Sequence, residues 1–262
     1  MKVKLIHATP LDILVQAIRK CYDSGSKSDS GYFEKNEQLL VNEKYKYRLG
    51  EKDEALIKRV IEAGHTSTLE HINFTFDLGG YSRALLQEKS RHRHAAVSER
   101  STRYCLKKLK DIKSLVTVQR FPSGQEIFMC NKQEAAKYLV LTGDEDVDNL
   151  SIEALDRLRQ LLVRKPELRN DVAKYPIPDS LRTECIFTIN ARSLRNLFSL
   201  RISKQALWEF QKLCCYMYES IPFPYKFLVD DLVNKEIYEF WMGSDKPADG
   251  GHANLFERYY RV

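Results

Sequence analysis

Seven residues constrain this chain more than any others. From Ile72 to Leu78, apolar Ile72, Phe74, Phe76 and Leu78 alternate with Asn73, Thr75 and Asp77. Successive side chains of a strand point to opposite faces, so a period of two describes a strand with one buried face and one polar or interfacial face. All-parallel sheets are covered on both faces and read as continuous apolar runs, so the alternation favours an antiparallel or mixed sheet.

Other segments read as elements around that strand. Residues 3–8 (VKLIHA) form a short opening strand. Leu11, Leu14, Val15 and Ile18 recur at helical spacing through Cys21, and GSKSDSG after them is a loop by composition. A second helix over 52–63 carries Ala55, Leu56, Val60 and Ile61 on one side and stops at Gly64. Gly79-Gly80 is expected to break the alternating strand, and Ser82 to cap a helix running from Arg83 towards Arg91. Residues 105–150 carry little pattern beyond a turn at Pro122-Ser123-Gly124 and an acidic GDEDVD stretch. A helix is expected from about Ser151 to Val163, and one long helical region from Ala191 to about Tyr218. The end, GSDKPADGGHANLFERYYRV, reads as loop. No internal repeat or linker forces a split into two domains.

Composition narrows the class. A length of 262 residues suits one domain with embellishments, and 43% apolar with 30% charged residues describes a globular chain rather than a disordered one. No apolar run approaches the roughly 20 residues of a membrane span. The start, MKVKLIHATPLDILVQ, lacks the apolar stretch and cleavage site of a signal peptide. A cytoplasmic protein with no membrane partner is expected. Six cysteines form no CxxC pair, which points to buried thiols rather than a metal site or disulfide scaffold.

The chemistry concentrates in Arg91–Tyr104 (RHRHAAVSERSTRY), which packs Arg91, Arg93, Arg100 and Arg103 with His92, His94, Ser98, Ser101 and Thr102. Guanidinium forks and hydroxyls suit phosphate, and Glu99 could accept hydrogen bonds from a sugar or base. A solvated basic face and a nucleic-acid surface are the alternatives. Against the latter, Tyr104 is the single aromatic of the stretch, and the chain carries 36 acidic against 42 basic residues. A compact site for a small phosphorylated ligand fits as well as either.

Arg91-His92-Arg93, seven residues, then Ser101 resembles the signature of the flavin-dependent thymidylate synthases, as does the continuation to Arg103-Tyr104. Two flanking blocks strengthen the likeness. Gly64-His65-Thr66-Ser67-Thr68-Leu69-Glu70-His71 is similar to the family's GHxTPxEH segment. Asn190-Ala191-Arg192-Ser193-Leu194-Arg195-Asn196, continuing to Arg201 and Trp208-Glu209, is similar to its NARSLxNFLxLR…WE segment. The likeness covers 1–104 and 165–228 well, and 105–164 poorly.

That resemblance implies an α+β fold, a twisted, largely antiparallel sheet flanked by helices. It implies one domain over 1–230 with an extended segment at 105–164, then a tail or extension over 231–262. It implies a homotetramer with sites between subunits and no nucleic-acid partner. The implied activity is reductive methylation of dUMP to dTMP, with FAD as cofactor and 5,10-methylenetetrahydrofolate and NADPH as co-substrates.

Carried over residue by residue, His65, Ser67, Arg91, His92, Arg93, Glu99, Asn190, Arg192 and Asn196 would bind FAD. Gln87, Glu88, Arg91, Glu99, Arg100, Ser101, Thr102, Arg103, Lys174 and Arg201 would bind dUMP, and no residue would bind a metal. Arg201 would be catalytic, favouring ionisation of the uracil at N3. Some positions depart from the pattern. Glu88, with Gln87 beside it, stands where Gln is frequent. Lys174 stands for an Arg, Leu207 for a Gln, Gln205 where some members have His, and Cys21 for a Ser. A family serine such as Ser101 could be a nucleophile only beside a base, and no His-acid partner is evident, so it is assigned to nucleotide binding.

Overall fold

The computed structural model describes residues 1–32 and 47–243, so the loop reading of the tail from residue 244 falls outside the described residues. The strands are β1 (Lys2–Ala8), β2 (Gly31–Tyr32), β3 (Tyr47–Arg48), β4 (Asn73–Ser82), β5 (Ala95–Glu99), β6 (Val116–Arg120), β7 (Glu126–Cys130) and β8 (Arg182–Asn190). The helices are α1 (Leu11–Cys21), α2 (Glu51–Glu62), α3 (Arg83–Lys89), α4 (Thr102–Leu109), α5 (Lys132–Ala135), α6 (Glu145–Arg164), α7 (Asn170–Ala173), α8 (Ala191–Arg201), α9 (Trp208–Ser220), α10 (Phe223–Lys226) and α11 (Lys235–Met242). Among the described residues no helix is long and apolar enough to cross a membrane.

Four strands form one antiparallel sheet in the order β1-β4-β8-β5. Partners across the ladder share a face. Phe74 therefore lies beside Ile189, Phe76 beside Phe187 and Leu78 beside Cys185, and all six are buried. Leu14 and Ile18 of α1, Leu194, Leu197 and Phe198 of α8, and Phe210, Leu213 and Met217 of α9 complete that core. On the opposite face Thr75 and Thr188 hydroxyls meet at 3.0 Å and Lys2 pairs with Asp77 at 2.9 Å. The α+β architecture with its largely antiparallel sheet is as the resemblance implies.

Three readings of the sequence need correction. Gly79-Gly80 does not end β4, which continues to Ser82 with a register shift between Gly79 and Tyr81. Gly80 adopts φ 74°, a conformation open to glycine, and absorbs the extra residue of a bulge. The expected helix over 191–218 is two helices, with the chain leaving helical geometry at Ile202. The connection is stabilised by Gln211, whose Nε2 donates to the carbonyls of Ser203 (2.8 Å) and Ala206 (3.1 Å). The helix expected from Ser151 starts at Glu145: Asp144 caps it through Val147 N (3.0 Å), and Glu145, Asp146 and Asp148 favour the positive end of its dipole.

Burial of thiols holds for Cys185, Cys214 and Cys215, whereas Cys21 is exposed and Cys105 and Cys130 are intermediate.

Residues 105–181 carry a second core, in which Leu106, Leu109, Leu115, Leu139, Ile152, Leu155 and Leu158 pack together beside the β6–β7 hairpin. Asp156 ties it together by accepting from Leu115 N (2.9 Å), Arg159 (2.8 Å) and Gln160 (2.8 Å). Burial pushes its carboxyl up, and these donors outweigh burial and hold it below its usual range. Past residue 230, Ile237 and Trp241 of α11 join the main core, with Trp241 stacked on Trp208 at 6.1 Å.

Candidate functional site

The site is built where β8 turns into α8. Asn190 ends the strand and caps the helix, its Oδ1 accepting from Ser193 N at 2.8 Å. A capped helix starting at that point projects Arg192 and Asn196, four residues apart, from one exposed face and ends on Arg201. The segment joining α3 to β5 brings Arg91, His92, Arg93 and His94 against it. Together they line an open cavity of about 910 Å³ with Glu70, Ile189, Ser193 and Leu200.

Arg201 is fixed from several directions. Its Nε donates to His92 Nε2 at 3.0 Å, its Nη1 pairs with Glu88 at 2.9 Å, and its guanidinium lies over the Phe210 ring at 4.9 Å. His92 meets the same ring edge-on at 5.7 Å. Burial first, and the Arg201 cation second, push the His92 imidazole below its usual pKa, with Glu88 partly opposing. A neutral ring that accepts at Nε2 carries its proton on Nδ1. Arg192 pairs with Glu70 at 2.6 Å at the cavity wall.

A second cavity of about 360 Å³ opens at the start of α4. It is lined by Glu99, Arg100, Ser101, Thr102 and Arg103 with Arg83, Leu86, Asp171 and Lys174. Ser101 holds the N-cap position, yet its side chain makes no capping bond. Arg100 donates to Arg182 O at 2.6 Å and faces Glu184 at 3.3 Å. The Nε of Arg83 is buried without a hydrogen-bond partner, 3.9 Å from Asp179. A buried orphan donor in a cation-rich cavity is a place for an anion. Glu99 accepts from Tyr81, Lys89 and Thr183.

The expected site residues thus separate into groups. Arg91, His92, Arg93, Asn190, Arg192, Asn196 and Arg201 line the first cavity; Glu99, Arg100, Ser101, Thr102, Arg103 and Lys174 line the second. The two share no lining residue. Glu88 lines neither and binds Arg201, while Gln87 turns to Asp179 at 3.2 Å. His65, 3.4 Å from Tyr22 Oη, and Ser67 are exposed and line neither cavity. His94, already part of the arginine-dense stretch, also lines the first cavity, and Glu70, Ser193 and Arg83 are lining residues to which the sequence motifs assign no role. Glu70 and Ser193 sit inside the quoted blocks, and Arg83 follows the correctly read Ser82 cap, so position beside a motif was the available signal.

The chain is similar to known proteins over most of its length. Residues 4–222 match the model of the thymidylate synthase complementing protein family. The chain is 42% identical over 238 residues to the flavin-dependent thymidylate synthase of Campylobacter jejuni strain RM1221, covering 90% of this chain and all of the relative. It is 39% identical over 232 residues to that of Helicobacter pylori strain J99, covering 88% and 98%. Its fold is similar to the crystal structure of a flavin-dependent thymidylate synthase from Helicobacter pylori complexed with FAD and dUMP. The TM-score is 0.75 at 37% identity, covering 89% of this chain and 100% of that one.

Proposed function

The chain belongs to the thymidylate synthase complementing protein family, the flavin-dependent thymidylate synthases, and from that premise we propose how its two cavities carry out the conversion of dUMP to dTMP. The observation that carries the reading is Arg201, held by Glu88, His92 and Phe210 at the wall of a cavity lined by the arginines of two separate motifs.

The first cavity fits FAD in size and chemistry. Its volume is in the usual range for small-molecule sites. Arg91, Arg93, Arg192, His94, Asn190 and Asn196 offer donors to a pyrophosphate and to the polar edge of a ring, and Leu200 offers apolar surface. FAD when bound, reduced by NADPH, supplies the hydride that completes the methyl group once the methylene carbon of 5,10-methylenetetrahydrofolate has reached C5 of the uracil.

The protein's own part is position and charge. Arg201 is a fixed cation that stabilises negative charge developing at uracil N3. Glu88 and the neutral His92 hold its guanidinium in one orientation, so little reorganisation is needed when that charge appears. The second cavity receives the nucleotide. Arg83, Arg100, Arg103 and Lys174 supply cations for its phosphate, Ser101 and Thr102 supply hydroxyls, and Glu99 accepts from its sugar or base.

Arg201 and Arg103 stand in separate cavities of one chain. A single nucleotide reaches both when the cavity of one subunit faces that of another, and this supports a homotetramer with shared sites. His65 and Ser67 then approach the flavin of a neighbouring subunit. A cytoplasmic location goes with this role in nucleotide synthesis.

The test is direct. Purified protein should show flavin absorbance and form dTMP from dUMP, methylenetetrahydrofolate and NADPH. Arg201→Ala should lose turnover by at least about a hundredfold, the usual effect of removing a charge-stabilising donor, while keeping its flavin. Normal turnover by that variant would refute the assignment.

A further inference from the structure

A lysine absent from the roles above occupies a position that calls for a function. Lys89, the last residue of α3, has only 1% of its surface exposed. An ammonium group taken out of water needs a counter-charge and a partner for each hydrogen. Lys89 Nζ has three: Glu99 Oε2 at 2.9 Å, Tyr81 Oη at 2.6 Å and Cys185 Sγ at 2.8 Å. The faces of Tyr81 (4.6 Å) and Phe187 (5.6 Å) add cation–π attraction. Glu99 is its one carboxylate partner among the described residues.

The arrangement points towards the nucleotide cavity. Glu99 receives the Tyr81 hydroxyl at 2.8 Å on both oxygens and Thr183 Oγ1 at 2.6 Å on Oε1. Tyr81 and Thr183 are neutral donors, so Lys89 alone balances the charge of that carboxylate within the network. Glu99 lines the cavity directly before Arg100, Ser101, Thr102 and Arg103. The network also joins four elements, with Lys89 on α3, Tyr81 on β4, Glu99 on β5, and Thr183 and Cys185 on β8.

We propose that Lys89 is a positioning residue of the nucleotide site. It pairs with the Glu99 carboxylate and fixes it in one orientation, so that Glu99 meets the substrate as a pre-set acceptor. This rests on the reading of the second cavity as the dUMP site.

Steady-state kinetics of the FAD-loaded enzyme test it. Lys89→Met should raise the KM for dUMP by about tenfold, the equivalent of one charge-assisted hydrogen bond. The KM for methylenetetrahydrofolate and the flavin content should not change. Lys89→Arg should recover much of the loss. In a Glu99→Gln background, Lys89→Met should add no further rise, because the lysine acts through that carboxylate. If Lys89→Met does not fold, Lys89→Gln keeps a donor and reads the same quantity. An unchanged dUMP KM, a loss spread over both substrates and flavin, or effects that multiply with Glu99→Gln would each overturn the proposal. Arg103→Ala separates the two levels. If it leaves the dUMP KM untouched, the cavity is not the nucleotide site. If it raises the KM while Lys89→Met does not, the cavity stands and Lys89 has no part in it.

Discussion

His92 shows how a single side chain can link the site to stability. Burial, then the neighbouring Arg201 cation, keeps its imidazole neutral to lower pH than usual. In the unfolded chain the same ring takes up a proton near pH 6.5. The unfolded state therefore binds more protons as the pH falls below that value, and stability drops until the folded pKa is also passed. His92→Gln keeps an acceptor for Arg201 and removes the titration. Thermal unfolding between about pH 7 and pH 5.5 should show a smaller acid loss in the variant than in the parent; equal losses would mean that His92 carries no such penalty. The residue scale was well legible in the sequence where identity alone sufficed. Arg91, His92, Arg93, Asn190, Arg192, Asn196 and Arg201 stand in the motifs that carry the family resemblance, and all line one cavity. Lys89 was invisible, because nothing in the string LLQEKSRHR distinguishes a buried lysine from a solvated one.

At the scale of elements, legibility followed period. The alternation of β4 and the helical spacing of α1 and α2 need only local sequence, and each element lies where its pattern placed it. Errors arose where tertiary contacts decide. Gln211 stabilises the break between α8 and α9 from outside it. The strand β8 alternates Thr183, Cys185, Phe187 and Ile189 inward, a pattern that ends where the downstream motif begins at Asn190 and is not assigned from the sequence. At Gly79-Gly80 a composition that usually ends a strand instead bends one. That bulge makes a prediction. A methyl group at Gly80 would meet Met1 Cα at 3.5 Å, an ordinary contact, so the cost of Gly80→Ala is the left-handed backbone itself. A loss of about 1 to 2 kcal/mol is expected. Because the bulge sets the directions of Tyr81 and Ser82, which bind Glu99 and Glu209, cavity geometry should suffer as well. Unchanged thermal stability would show that the bulge tolerates a side chain.

At the scale of the whole molecule, two cores support two cavities. The sheet with α1, α8 and α9 carries the first, and the second lobe supplies Asp171 and Lys174 to the other. Of the second lobe, the body of α6 and the turn at Pro122-Ser123-Gly124 are legible in the sequence, whereas α4, α5, α7 and the strands β6 and β7 are not, because these short elements carry no sustained period. In the proposed assembly the cavities of different subunits close on one flavin and one nucleotide. Co-expression of Arg201→Ala and Arg103→Ala subunits is the decisive experiment. Each variant alone lacks one essential arginine in every site. In mixed oligomers some sites receive both arginines from the intact halves, so dTMP synthesis should return to a substantial fraction of the parent rate. Mixed oligomers as inactive as either variant alone would contradict that assembly and place both arginines in a site within one subunit.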